Sequence, residues 1–417
     1  MSLNPWPLRA ALACAASGLF CASVAAETAP TYQALLKHAQ GSAPRLALGS
    51  AETRVAQSQV VQAAARPNPT VGLMVENAAG SGPYKDFNGA ETTLTIEQPL
   101  ELGGKRAART SAAQADLAVA QARAILAQVD FGRDLALAYA KAEAAQQRLA
   151  IGRDGVDLAQ ADARAARLLV ENGKEAQVRA VQAEAGLATA RADLAAAQAE
   201  TEAALARLSA LIGGQETYTA VVGGLLDIAP AVSSTVSTGR TFSPIVAAAL
   251  AEREAAERRI AVERARRTPD LTVSFGVRQF QTDDSTAAVF GVSVPLPLFD
   301  RNRGSVAAAS ANAQAAQARL LMAQAEQAAD RRAATAQVAA ANQTLEASRQ
   351  AESAASEVYR LARIGYDAGR LPLAELLAAR RDLIAARGRV VETKLARVQA
   401  LADLARIQGA IPFGDQP

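Results

Sequence analysis

Ile96-Glu97-Gln98-Pro99-Leu100-Glu101-Leu102-Gly103-Gly104-Lys105-Arg106 recurs in outline as Val292-Ser293-Val294-Pro295-Leu296-Pro297-Leu298-Phe299-Asp300-Arg301-Asn302-Arg303. Each stretch closes a segment in which apolar and polar residues alternate, and each opens a long Ala-rich segment of helical character. Proline cannot donate to a sheet ladder, so Pro99 and Pro295 are expected to mark strand ends. The glycines that follow, Gly103 and Gly104, suit a bend from strand into helix. These strand-to-helix junctions, with Pro99, Gly103, Gly104, Pro295 and Pro297 at their centre, fix the frame for the rest of the chain.

Counting outward from the two prolines uncovers a repeat. Pro99 and Pro295, Gly173 and Gly369, and Gly213 and Gly409 are all 196 positions apart. Upstream of the strands, Pro44 pairs with Pro244 and Pro69 with Pro269, both 200 apart. The four-residue difference falls between Pro69 and Pro99, where a hairpin loop belongs, and an even change preserves which face each strand residue takes. The chain is thus a tandem duplication with a period far longer than a solenoid repeat.

Around this frame, residues 1–26 read as a signal peptide. Arg9 precedes a short apolar core and Val24-Ala25-Ala26 offers a small-residue cleavage site. Both cysteines, Cys14 and Cys21, lie in this segment, so the expected mature chain has neither disulfide nor thiolate site. The remaining organisation is a first repeat over 27–213, a linking segment over 214–241, a second repeat over 242–409 and a tail over 410–417. Basic and acidic residues nearly balance, 44 against 41, which implies no nucleic-acid partner. Half the residues are apolar but only 4% are aromatic, so large side chains to fill a thick core are scarce. Small side chains instead let helices approach along their whole length.

Two strand hairpins are expected. Val71, Leu73 and Val75 alternate with polar or small residues, as do Leu94 and Ile96 after a Gly- and Pro-containing loop. Leu271, Val273, Phe275 and Val277, then Phe290, Val292 and Val294, repeat the pattern. Alternation alone fits either a half-buried sheet or a transmembrane barrel with polar residues inside. Four strands with no second sheet to pack on favour the barrel. Since single-chain barrels start at about eight strands, it must be shared between chains.

The helical segments carry a 4-3 seam: Phe131, Leu135, Ala138, Ala142, Ala145, Leu149, Gly152, Val156, Ala159, Ala163, Ala166 and Val170. It recurs from Ala334 to Tyr366, with Glu352 as an interruption, and on two return helices from Leu187 to Leu211 and Leu383 to Ile407. A helix from Gly104 to Val170 is about 100 Å long at 1.5 Å per residue. The return helix is roughly half that, so the helix before each hairpin would stack on it to complete a rod. The fold class is therefore mainly α with a β-barrel part.

At this point the residues resemble the outer-membrane efflux channels of the TolC type over essentially the whole mature chain. Tyr32 to Ala39 followed by Pro44 looks like that family's opening helix, and Ala65 to Pro69 like its entry to the first strand. The two junction stretches resemble the subgroup serving heavy-metal pumps of the resistance-nodulation-division (RND) class, the cobalt–zinc–cadmium type. The resemblance implies a homotrimer with a 12-stranded barrel in outer-membrane lipid above a helical tunnel through the periplasm. It also implies a periplasmic adaptor and an inner-membrane RND pump as partners, in a Gram-negative cell.

Site residues follow from the resemblance. The turns Asn172-Gly173-Lys174 and Ala368-Gly369-Arg370 would meet the adaptor, although both glycines also suit a plain turn with positive φ. Lys174 departs from the apolar residue often found there. Tyr366 and Glu375 resemble the tunnel constriction, where three carboxylates would ring one opening. The family's second acid is Ala378 in this chain, and a solvated Glu near a helix N-terminus is equally ordinary.

Catalytic motifs are scarce. One histidine, His38, leaves no His cluster or triad, and no cofactor or tight metal site is expected. Gly103-Gly104-Lys105 lacks the earlier glycine and the following Ser/Thr of a phosphate loop. The expected function is a passive conduit, not an enzyme, exporting heavy-metal cations. Drug efflux or type I protein secretion on the same fold is the alternative. An adaptor would carry lipoyl-like segments, and a hydrolase a nucleophile and base, none of which is found.

Overall fold

The computed structural model describes residues 28–214, 218–228 and 243–414. The expected signal peptide with Cys14 and Cys21, and much of the linking segment, lie outside them. In order the elements are β1 (Thr28–Ala29), α1 (Tyr32–Ser42), α2 (Pro44–Ala64), β2 (Thr70–Glu76), β3 (Glu91–Leu100), α3 (Lys105–Glu171), α4 (Gln177–Ile212) and β4 (Ala220–Val221). The second half has α5 (Pro244–Ala265), β5 (Leu271–Phe280), β6 (Ser285–Ser293), α6 (Arg303–Asp367) and α7 (Leu373–Gln408).

The long helices are single and uninterrupted, 67 residues in α3 and 65 in α6, and each return helix has 36. Ala dominates them, and Ala has the highest helix propensity, so length costs little. Every seam position read from the sequence is buried or half-buried and none is exposed. Two polar residues on the seam pair with each other: the Ser348 and Thr393 hydroxyls hydrogen-bond at 2.8 Å between α6 and α7. Glu352, the interruption, reaches Arg387 of α7 at 4.0 Å.

Pro44 and Pro244 each take the first turn of a helix, where a missing N–H is harmless. A Cβ on Gly213 would lie 2.5 Å from Pro44, and one on Gly409 would lie 2.5 Å from Pro244. Each return helix therefore ends against the start of the helix that precedes a hairpin. α2 continues the line of α4, and α5 that of α7, as the rod requires.

Strands β2, β3, β5 and β6 form one antiparallel sheet in that order. The helices follow the same order, α2 against α3, α3 against α5, and α5 against α6. One expectation is corrected. Pro99 does not end its strand: β3 runs on to Leu100, with Pro99 opposite Thr272 of β5. β2 starts only opposite Glu97, so beyond that point β3 has a neighbour on one side alone, and a residue without N–H is tolerated. Pro295 does lie just past β6.

Midway along the rod sits the largest core. Tyr32, Leu35, Phe131, Leu135, Tyr139, Leu208, Leu225, Leu226 and Val398 gather there from α1, α3, α4, the linking segment and α7. β1 and β4, two residues each, pair in parallel beside it. The linking segment is clamped to α3 by three side chains about one turn apart. Tyr139 Oη accepts from Gly223 N–H, Glu143 from the N–H groups of Gly224, Leu225 and Leu226, and Gln146 from Val221 N–H. On the other side Lys394 pairs with Asp227 at 2.8 Å, and Arg397 donates to the carbonyls of Leu226 and Ile228.

Candidate functional site

The two ends of the rod carry the candidate sites. At the helical end, both turns close with the same hydrogen bonds. Gly173 N–H donates to Val170 O at 2.9 Å and Lys174 N–H to Leu169 O at 2.8 Å; Gly369 donates to Tyr366 O and Arg370 to Gly365 O at the same distances. This is the Schellman closure of a helix, and it needs a left-handed residue. Gly173 and Gly369 both have φ of 68°. A Cβ on either would meet nothing within 4 Å, so the space beyond both glycines is open. Asn172, Gly173, Lys174, Ala368, Gly369 and Arg370 are all exposed.

Just above the tips the hairpins pack through Ala163, Ala166, Ala183, Ala362, Tyr366, Leu373, Leu376 and Ala379. Small residues at the crossing let the four helices draw close. The Tyr366 ring belongs to this core, and its hydroxyl has no hydrogen-bond partner within the described residues. Burial, then the neighbouring Glu175, Asp162 and Asp367 carboxylates, push its pKa up. Glu375 is different: it is exposed on the first turn of α7 and makes no ion pair among the described residues. Within one chain, then, Tyr366 is buried in the core while Glu375 is exposed to solvent.

A polar centre in the same region escaped the sequence reading. Asp162 of α3 is buried and bonds to Arg380 of α7 at 2.7 Å, with Arg363 of α6 at 3.7 Å. Gly186 of α4 makes room: a Cβ there would lie 3.2 Å from the Arg380 guanidinium. Burial raises the Asp162 pKa, and the two arginines oppose that only in part. The signal was present in the sequence, because Asp162 lies among Ala159, Ala163 and Ala166 on the buried face.

At the other end, the sheet has two unlike faces. Val71, Leu73, Leu94, Ile96, Val273, Phe275, Val277, Phe290 and Val292 share one face by their register and are exposed or half-exposed. The opposite face carries Thr93, Thr95, Glu97, Ser274 and Arg278. There Arg278 binds Glu91 at 2.9 Å and Glu76 at 3.0 Å. Among the described residues no helix is long and apolar enough to cross a membrane, and no group of three His, Cys, Asp or Glu is placed to hold a metal.

The junctions are built unequally. Gly103 and Gly104 have φ of 69° and 72°, and a Cβ on Gly103 would lie 2.5 Å from the Thr268 hydroxyl. Lys105 pairs with Asp270 at 2.8 Å across that corner. In the second copy Asn302 takes the left-handed position instead, held by Glu263.

Paired helices of this length, continuous with a sheet that is apolar on one face and polar on the other, define a channel subunit of the outer-membrane efflux class. The family described as outer membrane efflux protein matches residues 35–214 and 240–410, and the chain belongs to it. It is 41% identical over 391 residues to the nickel-cobalt-cadmium resistance protein NccC of Alcaligenes xylosoxydans xylosoxydans, covering 94% of this chain and 89% of that one. It is 43% identical over 388 residues to the nickel and cobalt resistance protein CnrC of Cupriavidus metallidurans, covering 93% and 92%. Its fold matches the outer membrane protein VceC of Vibrio cholerae with a TM-score of 0.74 at 21% identity, over 91% of this chain and 96% of that one.

Proposed function

We propose that this chain is the outer-membrane channel of a tripartite RND-type efflux system, a passive conduit for heavy-metal cations. The observation that carries it is the sheet: four strands, apolar on one face and polar on the other, with β2 and β6 left as free edges. A free edge beside an exposed apolar face is a liability unless another strand covers it. Three copies closing edge to edge give 12 strands, with the apolar face toward lipid and the polar face toward the lumen. Below the membrane the helices continue as a tunnel. The exposed glycine turns at its far end would meet an adaptor, which couples the channel to an inner-membrane pump. The two repeats, 27–213 and 242–409, then supply equivalent parts of one wall. The metal assignment is supported by similarity to relatives named for nickel, cobalt and cadmium resistance.

The test is a strain lacking this chain, challenged with divalent nickel, cobalt, zinc and cadmium and with a panel of drugs. Metal tolerance should fall and return on complementation, with drug tolerance unchanged. Loss of drug tolerance alone would favour the drug-efflux reading. Purified in mild detergent, the protein should be a trimer with mixed helix and strand signals in circular dichroism.

A further inference from the structure

The internal repeat identifies how one copy joins the next. Within the chain the α2–α3 contact recurs as α5–α6, and β2–β3 recurs as β5–β6. The joint between repeats, α3 with α5 and β3 with β5, has no second occurrence in one chain. Its equivalent would be α6 with α2, and β6 with β2, and these are the outermost elements of the layer.

The α3–α5 joint is an antiparallel ladder with reciprocal charges. Arg123 binds Glu252, and Asp116 binds Arg259 at 2.6 Å, two helical turns away. Between these rungs Val119 packs against Ala255. The repeat carries each position to a counterpart. Ala120-Gln121-Ala122-Arg123 recurs unchanged as Ala316-Gln317-Ala318-Arg319, and Ala251-Glu252 as Ala51-Glu52. The charged rung Arg123–Glu252 therefore has an identical counterpart in Arg319 and Glu52. Both are exposed and make no ion pair among the described residues. Asp116 and Arg259 become Asn312 and Gln59, so one ion pair is replaced by two amides without leaving a charge alone. Val119 and Ala255 become Ala315 and Val55, so the large and small residues exchange sides and the combined volume is kept.

From these matched replacements we infer that α6 of one copy packs antiparallel on α2 of the next, with Arg319 bonded to the partner's Glu52 and Ala315 against the partner's Val55. The inference rests on the ring assembly proposed above and gives it a register. The same repeat leaves β6 and β2 as the edges that pair between copies.

The test is charge reversal, read as the fraction of trimer surviving dilution in mild detergent. Glu52→Arg and Arg319→Glu alone should each lower the trimer association constant about tenfold, because a modest ion pair is lost at three joints at once. The double variant should recover most of that loss. A wild-type protein that is not a trimer would overturn the ring and this inference together. A trimer indifferent to both single reversals, or no recovery in the double variant, would overturn the inference and leave the ring standing.

Discussion

Asp162 and Arg380 meet at 2.7 Å inside the rod, joining α3 to α7 beside a core that is otherwise apolar. Two charges removed from water lose hydration, and their mutual attraction offsets that loss only partly. Asp162→Ala leaves the Arg380 guanidinium buried without its carboxylate and should destabilise the protein by about 3 kcal/mol or more. Replacing both by Leu should cost far less, and can leave the protein as stable as before. Thermal unfolding in detergent distinguishes the two. Equal losses in the single and double variants would show that the pair supplies net stability.

The same pair sets a pH dependence. The folded-state pKa of Asp162 lies above the ordinary carboxylate value of 3.8. Below that value both folded and unfolded chains hold the proton, and its contribution to stability is fully present. As pH rises through the raised folded value, the unfolded chain has already released its proton and the contribution is lost. Wild-type stability should therefore carry a component that falls as pH rises from about 4, and Asp162→Asn should lack it. Superimposable pH profiles for the two proteins would contradict this.

Much of this fold was legible because it is periodic. The 4-3 seam, the 196-residue offset and the strand alternation each state one requirement many times over, so a single departure does not hide it. What was missed is what occurs once. Asp162 reads as one more charge on a charged helix until its neighbours on the buried face are considered. Glu143 binds backbone N–H groups of a linking segment that has no pattern of its own. β1 and β4 are two residues each, too short for any alternation. Pro99 was read as a stop because its missing donor was visible, whereas the absence of a strand beside it was not.

Glu143 gives a third prediction. Its buried carboxylate accepts three N–H groups at 2.9 to 3.2 Å from residues 224 to 226. Hydrogen bonds to a charged group contribute more than neutral ones, and removing the acceptor leaves buried donors without partners. Glu143→Ala should lower stability by about 2–3 kcal/mol. Hydrogen exchange should rise selectively at Gly224, Leu225 and Leu226. Unchanged protection there would mean that Tyr139, Gln146, Lys394, Arg397 and packing hold the segment without Glu143.

The turn glycines separate a folding role from a docking role. Both sit at φ of 68° with open space beyond, so Trp adds bulk outward and strains the backbone by about 1–2 kcal/mol. Asn tolerates the left-handed region and adds little bulk. Gly369→Trp should abolish metal resistance with trimers intact, whereas Gly369→Asn should retain most of it. Loss of resistance in both would assign the glycine to turn geometry, and normal efflux in the Trp variant would remove the adaptor contact.

Glu375 carries the gate prediction. It is exposed on the first turn of α7, six residues beyond Gly369, and makes no ion pair among the described residues. Negative charge is favourable near a helix N-terminus, which suffices to explain an ordinary surface Glu. The ring assembly adds a second consequence, because three equivalent copies bring three such carboxylates to one level of the tunnel. Converging like charges raise the local cation concentration and bias passage toward cations. Ala378 supplies no second acid of the kind the family carries there, so the prediction is placed on Glu375. In planar bilayers Glu375→Gln should lower cation selectivity and weaken block by multivalent cations from the periplasmic side. Raised salt should shrink the difference between variant and wild type, since screening acts on exposed charges. If selectivity and block are both unchanged at low salt, Glu375 lies away from the constriction and is a solvated helix-end residue.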